Sequence, residues 1–374
     1  MNKKSLLAFI LGVVTGLCTL VLFGFMVSTL NQNTPVTPLT HQLTTVLSSE
    51  TNLSSDGRDV FIPQQLTLEN IFSDNHEWIA TLSAARIRTV IATGDVLPAR
   101  TVNYKTVTKN NFTWPYEKTA DVLKNADITL INLETPIIAD CPLTNTGMIF
   151  CGDPKNIEGL IFAGIDIANF ANNHAGNQGI EGVSETVSLL DSSGIDVAGV
   201  TGPIYREVKG MKFAFVGYNE VDVQSGVSHA DEELIVQELQ EANNNANIVI
   251  SSFHWGAEYT TDITERQRRL AHLAIDNGAD LIIGNHSHWI QPVEIYQGKL
   301  IVYAHGNFVF DQMWSQKTRE GIVGKYTFYD DQLVDVVFMP VLIEDFGQPT
   351  LLENEEKTTI LQDLYRTSTS LPIE

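Results

Sequence analysis

Cysteine is nearly absent from this chain, with three residues in 374. That scarcity excludes a disulfide-stapled scaffold and any metal site built from a full set of thiolates. Positive charge is also scarce: 23 Lys and Arg stand against 45 Asp and Glu, a formal net charge of −22. A nucleic-acid backbone is held by clustered Lys and Arg, so nucleic acid is excluded as a partner. No segment repeats at a fixed period, which sets aside solenoids and propellers. Hydrophobic residues, at 43%, suffice for a sizeable core and argue against wholesale disorder.

One long apolar run is present, Leu6 to Leu30, interrupted only by small polar residues. About 20–25 such residues span a bilayer core. Lys3 and Lys4 precede it, so the positive-inside rule predicts a cytoplasmic N-terminus and an extracellular remainder on the cell membrane. A single-pass anchor is favoured over a cleaved signal peptide. The run exceeds the roughly 7–15 residues of a signal h-region, and no small-x-small cleavage site follows it. Leu17 before Cys18 also makes a poor lipoprotein site. Gly12 and Gly16 form one GxxxG pattern, a weak signal for helix pairing. Cys141 and Cys151 fall in a loop-like stretch on the outward side, where pairing is permitted, so they are expected to close a short disulfide loop.

Residues 31–85 are rich in Thr, Ser, Gln, Asn and Pro and read as a stalk, with a short docked segment near Leu66 to Phe72. Alternating strands and helices begin at Arg86, giving an α/β domain over 86–345. Strands are predicted at Arg88–Thr93, Ile128–Leu133, Asp166–Phe170, Met211–Tyr218, Asn247–Phe253 and Asp280–Ile283. Helices are predicted at Tyr116–Asn125, Lys155–Ala163, Gly179–Ser192, Asp231–Asn244 and Ile263–Asn277. A hairpin across Gln297-Gly298 and two further strands, Gly324–Tyr329 and Leu333–Met339, close the domain. Residues 346–374 read as an acidic tail with one helical patch, Thr358–Tyr365.

Asp95, Glu134, Asn173, His254, His286 and His288 each lie at or just beyond the end of an apolar strand. In open α/β sheets those carboxyl ends line the ligand crevice. One polar residue there means little, because a lone His is more often structural and Gly-Asp is common turn chemistry. Six suggest a shared site. Mixed nitrogen and oxygen donors without thiolate suit Mn, Zn or Fe. Two such ions need a bridging carboxylate and roughly three further ligands each.

The ordered strings Thr93-Gly94-Asp95, Asn132-Leu133-Glu134, Ala171-Asn172-Asn173-His174, His254-Trp255-Gly256-Ala257-Glu258-Tyr259, Gly284-Asn285-His286-Ser287-His288 and Gly306-Asn307-Phe308-Val309-Phe310-Asp311 resemble the CapA family, bacterial capsule proteins tied to poly-γ-glutamate. The CapA family in turn resembles the calcineurin-like metallophosphoesterases. The resemblance implies a four-layer α/β/β/α sandwich and a pair of divalent ions. It places Asp95 and His288 on a first metal, Glu134 as the bridge, and Asn173, His254 and His286 on a second. His174 becomes the catalytic group, a general acid or charge stabiliser. Leu97 stands where the phosphoesterase pattern has His, leaving the first metal short of a ligand, and Asn177 stands where the family usually has Asp. His305, where Leu is common, is expected to contact substrate or to be structural; Asn307 is its companion as a substrate-binding candidate.

Three functions follow as expectations. The first is a part in poly-γ-glutamate synthesis or export beside integral synthase subunits. A second is a metal-dependent phosphoesterase acting on a cell-envelope phosphate ester. The third is a non-catalytic scaffold that binds an anionic polymer. Arg266, Arg268 and Arg269 offer a basic groove for such a polymer, against their simpler reading as the solvated face of an amphipathic helix.

Overall fold

In a computed structural model, residues 65–372 are described continuously, together with residues 52–53 and 59–60. The apolar run Leu6 to Leu30 and most of the expected stalk lie outside the described residues. Among the described residues, no helix is long and apolar enough to cross a membrane. The chain divides after Ile62. On its first side, Asn52–Leu53 (β1) pairs antiparallel with Asp59–Val60 (β2).

The strands of the second unit are β3 (Ile87–Val96), β4 (Ile128–Leu133), β5 (Ile167–Asn169), β6 (Asp196–Ala198), β7 (Ile204–Val208), β8 (Met211–Asn219), β9 (Ile248–His254), β10 (Leu281–Asn285), β11 (Ile290–Tyr296), β12 (Lys299–His305), β13 (Asn307–Val309), β14 (Glu320–Tyr329), β15 (Gln332–Glu344) and β16 (Gln348–Leu351). They form two sheets. One runs β16-β15-β14-β3-β4-β5-β6, with β13 beside the end of β3; the other runs β11-β12-β10-β9-β8-β7. Parallel pairing joins β3 to β6 in the first and β8, β9, β10 and β12 in the second. Strands covered on both faces need apolar side chains throughout, and β4 (ITLINL) is buried at every position.

Three apolar clusters define the layers. Between the sheets, Val90, Ala92 and Leu130 meet Phe213, Phe215, Ile250 and Ile283. Outside the first sheet, helices Asn156–Ala163 and Gly179–Ser192 supply Leu160, Val183 and Leu190. Outside the second, helices Glu232–Asn245 and Glu265–Asp276 supply Leu239, Leu270 and Ala274. The last helix opens with a capping box between Thr264 and Gln267, which satisfies two backbone N–H groups that the first turn leaves unpaired.

Two elements differ from expectation and a third agrees with it. The helix expected over Tyr116–Asn125 is a 3-10 turn at Trp114–Tyr116 followed by one helical turn at Ala120–Leu123, because Pro115 fixes a tight turn ahead of it. The docked segment expected near Leu66 to Phe72 is present, with Leu66 and Ile71 buried in the inter-sheet core. The expected tail is also part of the unit. There β16 pairs with β15, and helix Asn354–Thr369 buries Ile360 and Leu364 in the same core. Its acidic composition belongs to the outer face, where Glu355 and Glu356 are exposed and Asp363 is half-buried.

Candidate metal centre

The two sheets meet at the carboxyl ends of their parallel strands. Strand β3 ends with Asp95 in register with Asn132 of β4, and Asn132 is in register with Asn169 of β5. In the other sheet, Asn285 of β10 is in register with His254 at the end of β9. Gly94 is not a turn residue. It lets β3 pass β13 so closely that a Cβ there would sit 2.1 Å from the Gly306 carbonyl oxygen. That approach carries the Asp95 N–H to Gly306 O at 3.0 Å and brings Asn307 beside Asp95.

All six residues expected as ligands gather here. One carboxylate oxygen or imidazole nitrogen from each of Asp95, Glu134 and His288 lies within 4.8 Å of the others, and all three residues are buried. Next to them, His254 Nε2 lies 2.9 Å from Asn173 Oδ1 and 3.0 Å from His286 Nδ1. Glu134 stands between the groups, its Oε1 4.0 Å from His254 Nε2. The two histidines of the Gly284–His288 turn reach the site through left-handed backbone, φ +96° at His286 and +57° at His288. A non-glycine residue holds such a conformation at a cost of about 1–3 kcal/mol, and such strain clusters at functional sites.

The donors fit a divalent cation. Both Glu134 carboxylate oxygens are buried without a hydrogen-bond partner. A buried carboxylate left so is costly unless it meets a cation or takes up a proton. Burial, then the charges of Asp95 and Glu258, holds the Glu134 carboxyl well above the usual range. Burial pushes His286 down to about 3 and His254 well below its ordinary value, so both are neutral, the form that ligates metal. When bound, divalent cations supply positive charge that acidifies water and polarises a phosphoryl or carbonyl oxygen.

His174 stands at the edge of this group, its Nε2 3.8 Å from Glu134 Oε1. Its ring lies 4.0 Å from that of Phe150, and its Nδ1 is 3.1 Å from Asn177 Oδ1. Asn177 can offer that oxygen only as an acceptor, so the proton sits on Nδ1 and Nε2 presents a lone pair. Burial lowers the His174 pKa to about 4. In this state the ring is neutral, with Nε2 on the side of Glu134. Asn177 favours the protonated ring through its hydrogen bond, and an Asp there would add a negative charge in the same direction.

His305 has the contacts of the structural role, one of the two expected for it, and Asn307 is engaged by protein groups. His305 is fully buried, with Nε2 2.7 Å from the Tyr326 hydroxyl and Nδ1 3.2 Å from Gly284 O. Asn307 Nδ2 donates to Thr318 O at 2.8 Å and to Gln312 Oε1 at 3.1 Å, which turns its Oδ1 toward His288 Nδ1 at 2.9 Å. It therefore fixes the His288 proton on Nδ1 and leaves Nε2 with a lone pair. Cys141 and Cys151 are disulfide-bonded and close the loop that carries Phe150. The arginines of helix Glu265–Asp276 do not form an open basic groove. Arg266 and Arg269 lie 2.6 Å and 2.9 Å from Glu232, and Arg268 lies 3.5 Å from Glu294.

Sequence reasoning passed over Asn132, Asn169, Glu258 and Arg100. Asn132 Nδ2 donates to Asp95 Oδ1 at 2.8 Å and lies 3.2 Å from His254 Nδ1, while Asn169 Nδ2 donates to Asn132 Oδ1 at 3.2 Å. A signal was available: an Asn inside an otherwise apolar strand needs a buried partner. Glu258 brings a carboxylate 4.0 Å from His288 Nε2.

Comparisons with known proteins bear on this geometry. Residues 89–312 match the family model described as bacterial capsule synthesis protein PGA_cap, a span holding every residue of the cluster. The "PGA biosynthesis protein CapA" of Bacillus subtilis is 32% identical over 219 residues, covering 54% of this chain and 57% of that protein. The chain thus aligns with little more than half of that relative's length. The "capsule biosynthesis protein CapA" of Bacillus anthracis is 24% identical over 301 residues, covering 74% of this chain and 73% of the other. Among solved structures, a hypothetical protein from Thermus thermophilus superposes with TM-score 0.47 at 16% identity, covering 67% of this chain and 98% of its own. A phosphatase from Mycoplasma pneumoniae gives TM-score 0.45 at 13% identity over 70% and 95%. With its family model matched from β3 through β13, the chain belongs to the bacterial capsule synthesis protein family PGA_cap.

Proposed function

We propose that this chain is a metal-binding component of poly-γ-glutamate capsule synthesis or export, anchored by Leu6 to Leu30 and acting on the outer side of the membrane beside integral synthase subunits. Membership of the capsule family carries the reading. The apolar run behind Lys3 and Lys4 supports the topology, and the disulfide Cys141–Cys151 is in keeping with an oxidising compartment. Two ions are proposed, one on Asp95 and His288, the other on Asn173, His254 and His286, with Glu134 shared. Deleting the gene tests the role in the capsule. Loss of surface polyglutamate, restored by the wild-type gene, is the expected result; normal polymer in the deletion strain contradicts it.

A second reading, a phosphoesterase acting on a cell-envelope phosphate ester, is favoured by one observation: the Glu134 carboxylate without a hydrogen-bond partner, with His174 Nε2 3.8 Å away. In it the strand-end donors would hold the cations, with His174 at their edge as the catalytic group. Full-length protein loaded with Mn2+ or Zn2+ should then hydrolyse generic phosphate monoesters or diesters. Absence of turnover with metal demonstrably bound would leave the capsule role without this chemistry.

A further inference from the structure

We propose that Arg100 is the residue that receives the substrate's anionic group, so that the site takes an oxyanion, carboxylate or phosphate, beside its cations. The proposal rests on the metal-centre reading above and names the class of ligand that reading leaves open.

Positive charge is scarce in this chain, and the arginines of helix Glu265–Asp276 lie against Glu232 and Glu294, away from the cluster of donors, with Arg268 Nε and Nη2 buried without a hydrogen bond. Arg100 is placed differently. Its side chain is only 11% exposed, and its Nη2 is bonded to Asp311. Asp311 is itself held by the Thr101 N–H at 3.1 Å, so it orients the guanidinium. The rest of the fork is unspent: Nε is buried without an acceptor, and Nη1 meets only the Met148 thioether at 3.8 Å. A buried guanidinium N–H without an acceptor is costly unless a ligand supplies one.

Two aromatic rings seat the group and aim it. The guanidinium carbon lies 4.7 Å from the Phe150 ring centroid and 5.7 Å from that of Phe310. Phe150 in turn lies 4.0 Å from the His174 ring, and Phe310 lies 4.8 Å from the His288 ring. Arg100 therefore lies between the His174 imidazole and the cradle of Asp95, Glu134 and His288. An acidic surface repels an anionic ligand, so recognition has to be local, and Arg100 is a planar donor beside the site whose Nε and Nη1 are left over from its Asp311 pair.

The test uses full-length protein in detergent with Mn2+ bound, as wild type, Arg100→Gln and Arg100→Lys. Metal content and thermal midpoint are measured for each. Inorganic phosphate and a γ-linked glutamate oligomer are then titrated by calorimetry. Wild type is expected to bind at least one probe, and the tighter one identifies the source of the oxyanion. Arg100→Gln should weaken that probe by about 10- to 100-fold, with Arg100→Lys between, because Lys keeps the charge and loses the fork. Metal content should not change. Wild-type affinity in metal-loaded Arg100→Gln, or binding of neither probe by metal-loaded wild type, overturns the proposal while leaving the metal centre standing. Failure of wild type to hold metal removes the metal-centre reading, and the Arg100 proposal falls with it.

Discussion

Asn132 links the two sheets at the site: its Nδ2 lies 3.2 Å from His254 Nδ1 and donates to Asp95 Oδ1 at 2.8 Å. One amide thus orients a donor from each sheet. Asn132→Ala should weaken divalent-metal affinity by about 10- to 100-fold, as loss of an outer-shell partner does. Competition against a fluorescent chelator measures it. Unchanged affinity would show that Asp95 and His254 hold their positions without the amide.

Gly94→Ala should be strongly destabilising. The added methyl would fall 2.1 Å from the Gly306 carbonyl oxygen, a backbone atom that cannot swing aside. Overpacking of this kind costs about 1–3 kcal/mol, and here β3 would have to part from β13. Urea denaturation of wild type and variant gives the comparison; a shift below about 0.5 kcal/mol, the scatter of neutral surface changes, would refute the close approach.

Opening the disulfide should act on both stability and the site. Closing so short a loop is worth about 2–4 kcal/mol, and Phe150, beside Cys151, packs against His174. The double variant Cys141→Ser, Cys151→Ser is expected to melt lower and to show a shifted His174 resonance by NMR. An unmoved His174 signal would mean that Asn177 alone fixes the ring.

A pH effect follows from His76, whose Nδ1 lies 2.7 Å from Asp335 Oδ1. The hydrogen bond to Asp335 is the largest influence and raises the His76 pKa above its ordinary 6.5. A raised folded value means the stabilisation is complete below the unfolded value and is lost as pH climbs through the folded one. The melting difference between wild type and His76→Gln should therefore be largest near about pH 5.5 and shrink in alkaline buffer. A difference independent of pH would count against the ion pair.

What could be read in advance follows from which interactions are local. Strand β4 and the end of β9 announced themselves because strands buried on both faces are mostly apolar, so the charged or titratable residues ending them stood out. Glu134 and His254 were legible for that reason. His305 and Asn307 were not, because their partners Tyr326 and Thr318 come from later segments that no local pattern ties to them. Helix Asn354–Thr369 was half-read: composition averages its exposed acidic face with the face that buries Ile360 and Leu364. Arg100 carries no signature at all; its meaning comes from Phe150 and Phe310, brought to it by the fold.

The central claim is that Asp95, Glu134, Asn173, His254, His286 and His288 hold divalent cations. Crystals of the protein grown with Mn2+ and measured at the manganese absorption edge test it most directly. Anomalous density is expected among these six side chains, with one peak touching Asp95 and His288 and a second touching His254 and His286. A fully ordered site with no anomalous peak at saturating Mn2+ or Zn2+ would contradict it.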